Sequence, residues 1–316
     1  MEKKTIKNFD TIRQFTLVFL LLLEIILFAV LSKNFLSVSN AISVLRQVSV
    51  TGISAMGMFM VILLGDIDLS VGAMYSFIGV ICAFVFRATE SAVLTILAAL
   101  VLGIAIGLFN GVITAKMRIP AFITTLATMS ICRGFSYIMT GGTPIGVTNP
   151  KFTALGSGYI ADVIPLPIIF MLVVLAVGSF LMNHTRFGRY VYACGGNAQA
   201  AQWSGIHINT VKIMVFAIAG FLNGLASIIL AGRLGGGLPA TGDGAEMDVI
   251  TAVVLGGTSM SGGKGKLWGV ILGVLIIGLL TNGLTMIGVS SYWQKVVKGV
   301  IILIAVIFDT QSTQNA

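Results

Sequence analysis

The chain has 316 residues, of which 57% are apolar and only 9% charged, and its net charge is +8. An ordinary soluble domain carries roughly 25% charged residues, so water is not the main environment here. The 19 Lys and Arg are scattered singly between apolar runs, which argues against the gathered basic footprint of a nucleic-acid-binding protein.

In hydrocarbon every backbone amide needs a partner inside the structure, and long apolar runs meet that need only as helices. The first run, 15–31, follows the basic residues Lys3, Lys4, Lys7 and Arg13 but is followed by no small-residue cleavage site. It reads as a retained helix and not as a signal peptide. Further runs of about the 20 residues needed to span fall at 42–64, 71–87, 92–114, 121–140, 163–183, 212–232, 245–260, 267–287 and 293–308. The expected fold is therefore an all-α integral membrane protein of about ten transmembrane helices. The 245–260 segment has the least definite boundaries.

With the N-terminus inside, the inner side collects the four basic residues named above together with Lys116, Arg118, Arg186, Arg189, Lys212, Lys264 and Lys266. The outer side holds Lys33, Arg46, Arg87, Lys151, Arg233, Lys295 and Lys298. Eleven against seven favours both termini in the cytoplasm by the basic-residue rule. Residues 1–316 then form one transmembrane domain, with cytoplasmic tails at 1–14 and 310–316 and a cytoplasmic loop at 184–211. The Gly-, Pro- and Thr-rich stretch 141–162 lies outside.

Ala99, Gly103, Gly107, Gly111 and Ala115 recur every fourth residue and line one helix face, as expected where small side chains let helices approach closely in lipid. GLFNG at 107–111 echoes GLLTNG at 278–283, and DLSVGA from Asp68 has a weaker counterpart from Asp248. A same-sense repeat of this kind suits a core of two related bundles. Asn110 and Asn282 hold matching places in the echo, and each is a candidate interhelical bond or pore-facing group.

Carboxylates in apolar surroundings cost roughly 2.5–3.5 kcal/mol at a helix centre and demand a partner or a wet cavity. GDIDLSVG at 65–72 carries Asp66 and Asp68, and GDGAEMDVITAVVLGG at 242–257 carries Asp243, Glu246 and Asp248. Each segment is either a helix cap or a broken-helix element bordering a translocation path. Candidate path residues are Asp68, Ser70, Gly72, Asn110, Glu246, Asp248, Thr251 and Asn282. Glu24, in mid-run of the first helix, is expected to face protein. A proton relay there is the feature an ion-coupled transporter would use.

Neither a catalytic nor a nucleotide site is legible. Cys82, Cys132 and Cys194 are far apart, as packing residues are, and His184 and His207 stand alone. GGTSMSGGKGK at 256–266 departs from the phosphate-loop pattern, because Lys264 is followed by Gly265 and not by Ser or Thr. Energy for uphill transport then has to come from a partner subunit or an ion gradient. The inner segment GGNAQAAQWSG at 195–205 offers a docking device: Asn197 as N-cap, two helical turns from Ala198 to Ser204, and Gly205 as terminator. Ala200, Ala201 and Trp203 are its expected contact residues.

GDIDLSVGA, PAFITTLATMSICRG at 120–134, MTGGTPI at 139–145, TRFGRYVYACGGNAQAAQWSGI at 185–206 and EMDVITAVVLGGTSMSGGKG at 246–265 resemble the membrane permease of ribose-type ABC importers. The resemblance runs from about residue 40 to 309. It implies a bacterial inner-membrane permease of the vitamin B12 importer-like (type II) architecture, paired with an identical or sister permease chain. It further implies a tandem-domain ATPase inside, which binds the ATP and Mg, and a periplasmic sugar-binding protein outside; no cofactor is expected on this chain. Residues 199–205, QAAQWSG, are similar to the EAA-type coupling loop, with Gln199 where that motif has Glu and without its Leu-Pro ending. Gly195, Gly196, Asn197, Gln199, Ala200, Ala201, Trp203 and Gly205 are the coupling residues so implied. Asp66 stands where relatives commonly show Gly, so Asp68, Leu69, Ser70 and Gly72 carry over more directly. An ion-coupled secondary transporter of a small polar solute is the competing reading.

Overall fold

The computed structural model describes residues 2–160 and 164–314, with side chains described over 15–160 and 164–307. The basic residues before position 14 and the tail at 310–316 therefore lie outside the described side chains. The helices are α1 Glu2–Leu31, α2 Val38–Leu63, α3 Val71–Thr89, α4 Ala92–Lys116, α5 Ala121–Thr140, α6 Pro150–Ser157, α7 Leu166–His184, α8 Arg186–Gly196, α9 Ala198–Trp203, α10 Ile208–Leu234, α11 Ala245–Leu255, α12 Leu267–Met286 and α13 Ser291–Gln314. Two short antiparallel pairings, Ile145–Gly146 with Gly236–Gly237 and Tyr159–Ile160 with Ile164–Pro165, tie down the loops.

Among the described residues, α2, α3, α4, α7, α10 and α12 are each long and apolar enough to cross a bilayer. α1 adds a shorter apolar stretch, Phe15–Leu31. The expected helix at 245–260 ends at Leu255. Its 11 residues rise only about 16 Å at 1.5 Å each, too little for a core of about 30 Å. Gly256 and Gly257 stop it, the latter at φ +98°.

α2 lies at the centre, and every residue from Gly52 to Leu64 is buried, as expected of a helix surrounded by others. α10 packs against it, with Gly57 meeting Ala219. The four-residue small-side-chain seam of α4 is where that helix meets α10: Gly103 faces Gly220 and Gly224, Gly107 faces Phe216 and Gly220, and Gly111 faces Ile213. The outer faces of α1, α4, α5, α7 and α13 expose large apolar side chains such as Phe19, Val101, Ile138, Phe180 and Leu303, the surface a bilayer covers. Glu24 is turned away from that surface, as expected, and is 9% exposed.

Contact order along the helices gives their directions. Rising numbers on α4 meet falling numbers on α10, so these two are antiparallel, and Gly52–Val274 with Val48–Gly278 makes α2 antiparallel to α12. α11 is antiparallel to α12, since Gly256 meets Gly269 and Ala252 meets Gly273. It therefore runs parallel to α2. α3 folds back on α2, with Tyr75 bonded to Ser54, and so runs opposite to α11. The two related halves are thus inverted, not same-sense: α3 and α4 correspond to α11 and α12, and α4 on α10 corresponds to α12 on α2. This corrects the same-sense expectation. A linear echo reports order along the chain and carries no information about direction through the membrane.

A Cβ on Gly107 would fall against the Phe216 carbonyl and 3.0 Å from Gly220 Cα, whereas one on Gly134 would meet nothing within 4 Å. Gly107→Leu is expected to destabilise the protein by at least about 1–3 kcal/mol, as overpacking does. Gly134→Leu is expected to be tolerated. Thermal unfolding in detergent compares the two directly.

Candidate functional site

Two places combine polar chemistry with unusual backbone. One is interior, where α3 and α11 each begin after an unwound stretch, residues 64–70 and 235–244. The other is the α8–α9 foot on the loop side of α2.

In the first stretch Gly65 adopts φ +76° and turns the chain off the end of α2. Asp68, 3% exposed, accepts hydrogen bonds from the Ser70 amide at 2.8 Å and the Ser70 hydroxyl at 2.6 Å. It therefore fixes Ser70, the residue before α3, without capping the helix itself, whose start has no side-chain cap. Asn110 Nδ2 donates to Ser70 Oγ at 3.3 Å, and Thr128 Oγ1 donates to Asn110 Oδ1 at 2.6 Å. Thr125 Oγ1 accepts from the Leu69 amide at 3.1 Å. One polar network thus joins the linker to α3, α4 and α5. Asn110 is wholly buried in it.

The second stretch is held from outside itself. Arg133 of α5 donates to the carbonyls of Pro239 at 3.0 Å and Thr241 at 2.7 Å, and Ser76 of α3 donates to Pro239 at 2.7 Å. Gly242 and Gly72 touch backbone to backbone, with the Glu246 carboxylate beside them. A side chain at position 72 would collide with both. The two unwound segments therefore meet where α3 and α11 start.

Among the described residues, three ion pairs surround this region. Asp66 pairs with Lys212 of α10 at 2.7 Å, Asp243 with Lys295 of α13 at 2.6 Å, and Asp248 with Lys298 at 2.8 Å. Both partners of the Asp243–Lys295 pair are largely exposed, so this pair contributes little to stability. Neither acidic residue of α11's first turn caps the helix by side chain; Gly244 at φ +82° starts it.

Of the candidate path residues, Asp68, Ser70 and Asn110 share one network, and Gly72 and Glu246 adjoin it. Asp248 turns to α13, and the fully buried Thr251 bonds the Met247 carbonyl of its own helix. Asn282 sits apart, exchanging two hydrogen bonds with Asn40 at 3.0 and 2.9 Å and so clamping α12 to α2. The partners Asn40, Thr128, Arg133, Lys212 and Lys298 were not singled out by spacing, because each lies far along the chain from the group it meets. An Arg or Lys inside a predicted span, as at 133 and 298, was the available signal.

At the foot, the Asn197 side chain accepts from the Ala200 amide at 2.9 Å, and α9 ends before Gly205 at φ +84°. Trp203 is 85% exposed, and Gln199 and Ala200 are also exposed. Ala201 differs from expectation: it is 4% exposed and packs into the protein's own core. A two-turn helix lying on a surface must bury one side, and Ala201 is the small residue on that side. Gly195 and Gly196 abut Gly263, and a Cβ on Gly195 would strike the Leu63 carbonyl and lie 2.7 Å from the Gly263 nitrogen. The Gly263 amide donates to Leu63 at 2.9 Å, and Tyr192 Oη donates to Gly265 at 3.0 Å. The glycine loop 256–266 is the socket that seats α8 against the end of α2.

Residues 40–306 match the model of the family described as branched-chain amino acid transport system / permease component. The chain belongs to this family. It is similar to the ribose import permease protein of Escherichia coli (strain K12), 44% identical over 295 residues that cover 92% of each chain. It is equally similar to the ribose import permease protein of Bacillus subtilis (strain 168), 44% identical over 99% of this chain and 97% of that one. A xylose transport system permease protein of Haemophilus influenzae is 35% identical over 89% of this chain and 91% of its own. No solved structure matches the chain. As a permease component the protein is a transport subunit, built of membrane helices.

Asn110→Leu removes two hydrogen bonds from the buried network but leaves Ser70 paired with Asp68 and Thr128 with the Thr124 carbonyl. It is expected to cost about 0.5–1.5 kcal/mol for each hydrogen bond lost. Asn110→Asp, which loses the donor to Ser70 and adds a second carboxyl near the buried Asp68, is expected to cost more. Denaturation midpoints of the purified variants test the ranking.

Proposed function

We propose that this chain is the translocating subunit of a bacterial ABC importer for ribose or a closely related monosaccharide. Near-full-length similarity to ribose import permeases carries this reading. Xylose and L-arabinose permeases among the relatives support the wider class of small sugars. A periplasmic binding protein delivers the sugar, and a tandem-domain ATPase supplies the power and binds the ATP and Mg.

In this reading ten segments cross the inner membrane: α1–α5, α7, α10, α11 together with its unwound approach, α12 and α13. Both termini are then cytoplasmic, as the basic-residue asymmetry favours, and the architecture is of type II. Two permease chains, identical or sister, enclose the path between them. Specificity rests mainly with the binding protein, so the path itself needs only weak polar contacts.

The α8–α9 foot is the coupling element. Trp203 and Gln199 project to the ATPase, while Ala201, Gly195 and Gly196 fasten the foot to the permease. Movement of the foot reaches the end of α2 through Leu63, and from there the linker that starts α3. Closure of the ATPase thereby rocks the inner ends of both bundles.

Proteoliposomes holding this chain alone are expected to accumulate no ribose, and uptake should require the ATPase, the binding protein and ATP. Accumulation against a gradient by the chain alone, collapsing with the proton gradient, would establish the ion-coupled reading instead. Trp203→Ala should weaken ATPase association roughly 30-fold, the effect of removing an aromatic hot spot of about 2 kcal/mol, while leaving membrane insertion intact. Pull-down affinity and binding-protein-stimulated ATP hydrolysis measure it.

A further inference from the structure

α1 rests on α12. Leu17, Glu24 and Phe28 are all buried, and spacings of seven and four residues put them on one face of a helix. Phe28 lies over Gly283 of α12, whose missing side chain leaves room for the ring. Glu24 is one turn from that contact, in the middle of the docking face. The other side of α1 exposes Phe19, Leu23, Ile26 and Val30, so apolar surroundings lie on both sides of the carboxyl.

Glu24 Oε2 is buried and has no hydrogen-bond partner, and Glu24 takes part in none of the ion pairs among the described residues. α12 has nothing to offer it. From Leu267 to Met286 that helix carries no titratable residue. Its Thr281 and Thr285 hydroxyls donate to the Ile277 and Thr281 carbonyls at 2.8 and 2.7 Å, and Asn282 is taken up by Asn40. On α1 itself Glu24 is the only titratable residue from 15 to 31, and Lys33 stands exposed beyond the helix end. Among the elements beyond α12, Arg46 of α2 donates to the Ser157 carbonyl, and Lys295 and Lys298 of α13 hold Asp243 and Asp248. A carboxylate with neither a donor nor a cation is strongly disfavoured in apolar surroundings, whereas a neutral acid is tolerated there.

We propose that Glu24 is a proton-binding site that latches α1 onto α12: the helices stay docked while the carboxyl carries its proton and part when it is lost. The sign follows from the contact. The docked face accepts only the neutral acid, so docking is complete at low pH and is lost as rising pH ionises Glu24. The proton is held and not relayed, because α12 presents no second titratable group to receive it. The inference stands on the α1–α12 contact and needs no part of the transport reading.

The test uses the full chain in phosphatidylcholine nanodiscs. Dicyclohexylcarbodiimide is the probe of the proton: the acid O–H adds across one C=N bond, its proton going to nitrogen and its oxygen to carbon, and the adduct rearranges to an N-acylurea that peptide mass spectrometry locates. Labelling of Glu24 is expected in mildly acidic buffer and should fall about tenfold for each pH unit above half-labelling. Docking is read separately, as the distance between spin labels introduced by Val30→Cys and Ile287→Cys; the native Cys82, Cys132 and Cys194 are buried. That distance should lengthen and broaden in alkaline buffer when Glu24 is present and stay short with Glu24→Gln or Glu24→Leu. Absence of labelling at every pH overturns the proposal. So does a distance that ignores pH when Glu24 is present, or one that changes equally in the Gln and Leu variants.

Discussion

The structure depends on one constraint, that a backbone amide in hydrocarbon must be paired. Helices satisfy it for most of the chain. Residues 64–70 and 235–244 do not form helix, yet both run among buried helices. Their polar groups are met by side chains instead: Thr125 serves the Leu69 amide, Arg133 serves the Pro239 and Thr241 carbonyls, and Ser76 serves Pro239 again. Unwound backbone at depth is tolerated only when buried in protein or lining a cavity. Here protein surrounds most of it, with Gly65, Ala240 and Asp243 exposed, which accounts for the buried hydroxyls and amides that α3, α4 and α5 turn toward it.

Glycine provides the other half of the arrangement. Inverted halves must cross closely at their centre, and they do so at α4 on α10, where Gly103, Gly107 and Gly220 replace side-chain packing with near backbone contact, and at α12 on α2, where Gly52 and Gly278 make room for the side chains of Val274 and Val48. The same device recurs at Gly72 against Gly242, where the two unwound segments touch. Close packing of this kind leaves little room for gradual deformation of the helices.

Local features of the sequence were the legible ones. The four-residue spacing from Ala99 to Ala115 located the α4 seam, and Asn197 with Gly205 located both ends of α9, because capping and small-residue periodicity act within one or two turns. Span positions followed from apolar runs for α2, α3, α4, α7, α10 and α12, whereas at 245–260 Gly256 and Gly257 cut the run short without interrupting its apolar character. The partners were not legible. Lys212 meets Asp66 from 146 residues away and Lys298 meets Asp248 from 50, and nothing in the intervening residues encodes either meeting. Ala201 was placed outward because helical spacing alone does not say which side of a surface helix is covered.

The foot and the interior network are linked by one short path. Gly195 lies against the Leu63 carbonyl, which also accepts the Gly263 amide, so the foot, the glycine loop and the end of α2 form a single joint. Three residues beyond Leu63 comes Asp66, tied to α10, and two further comes Asp68, tied through Ser70 to Asn110. The end of α2 is buried on all sides from Gly52 to Leu64, while the linker that follows it lacks a helical hydrogen-bond ladder. Gly65, at φ +76° and without a crowding neighbour closer than 3.6 Å, therefore marks the backbone break between the α8–α9 foot and the residues that gather at the centre of the fold.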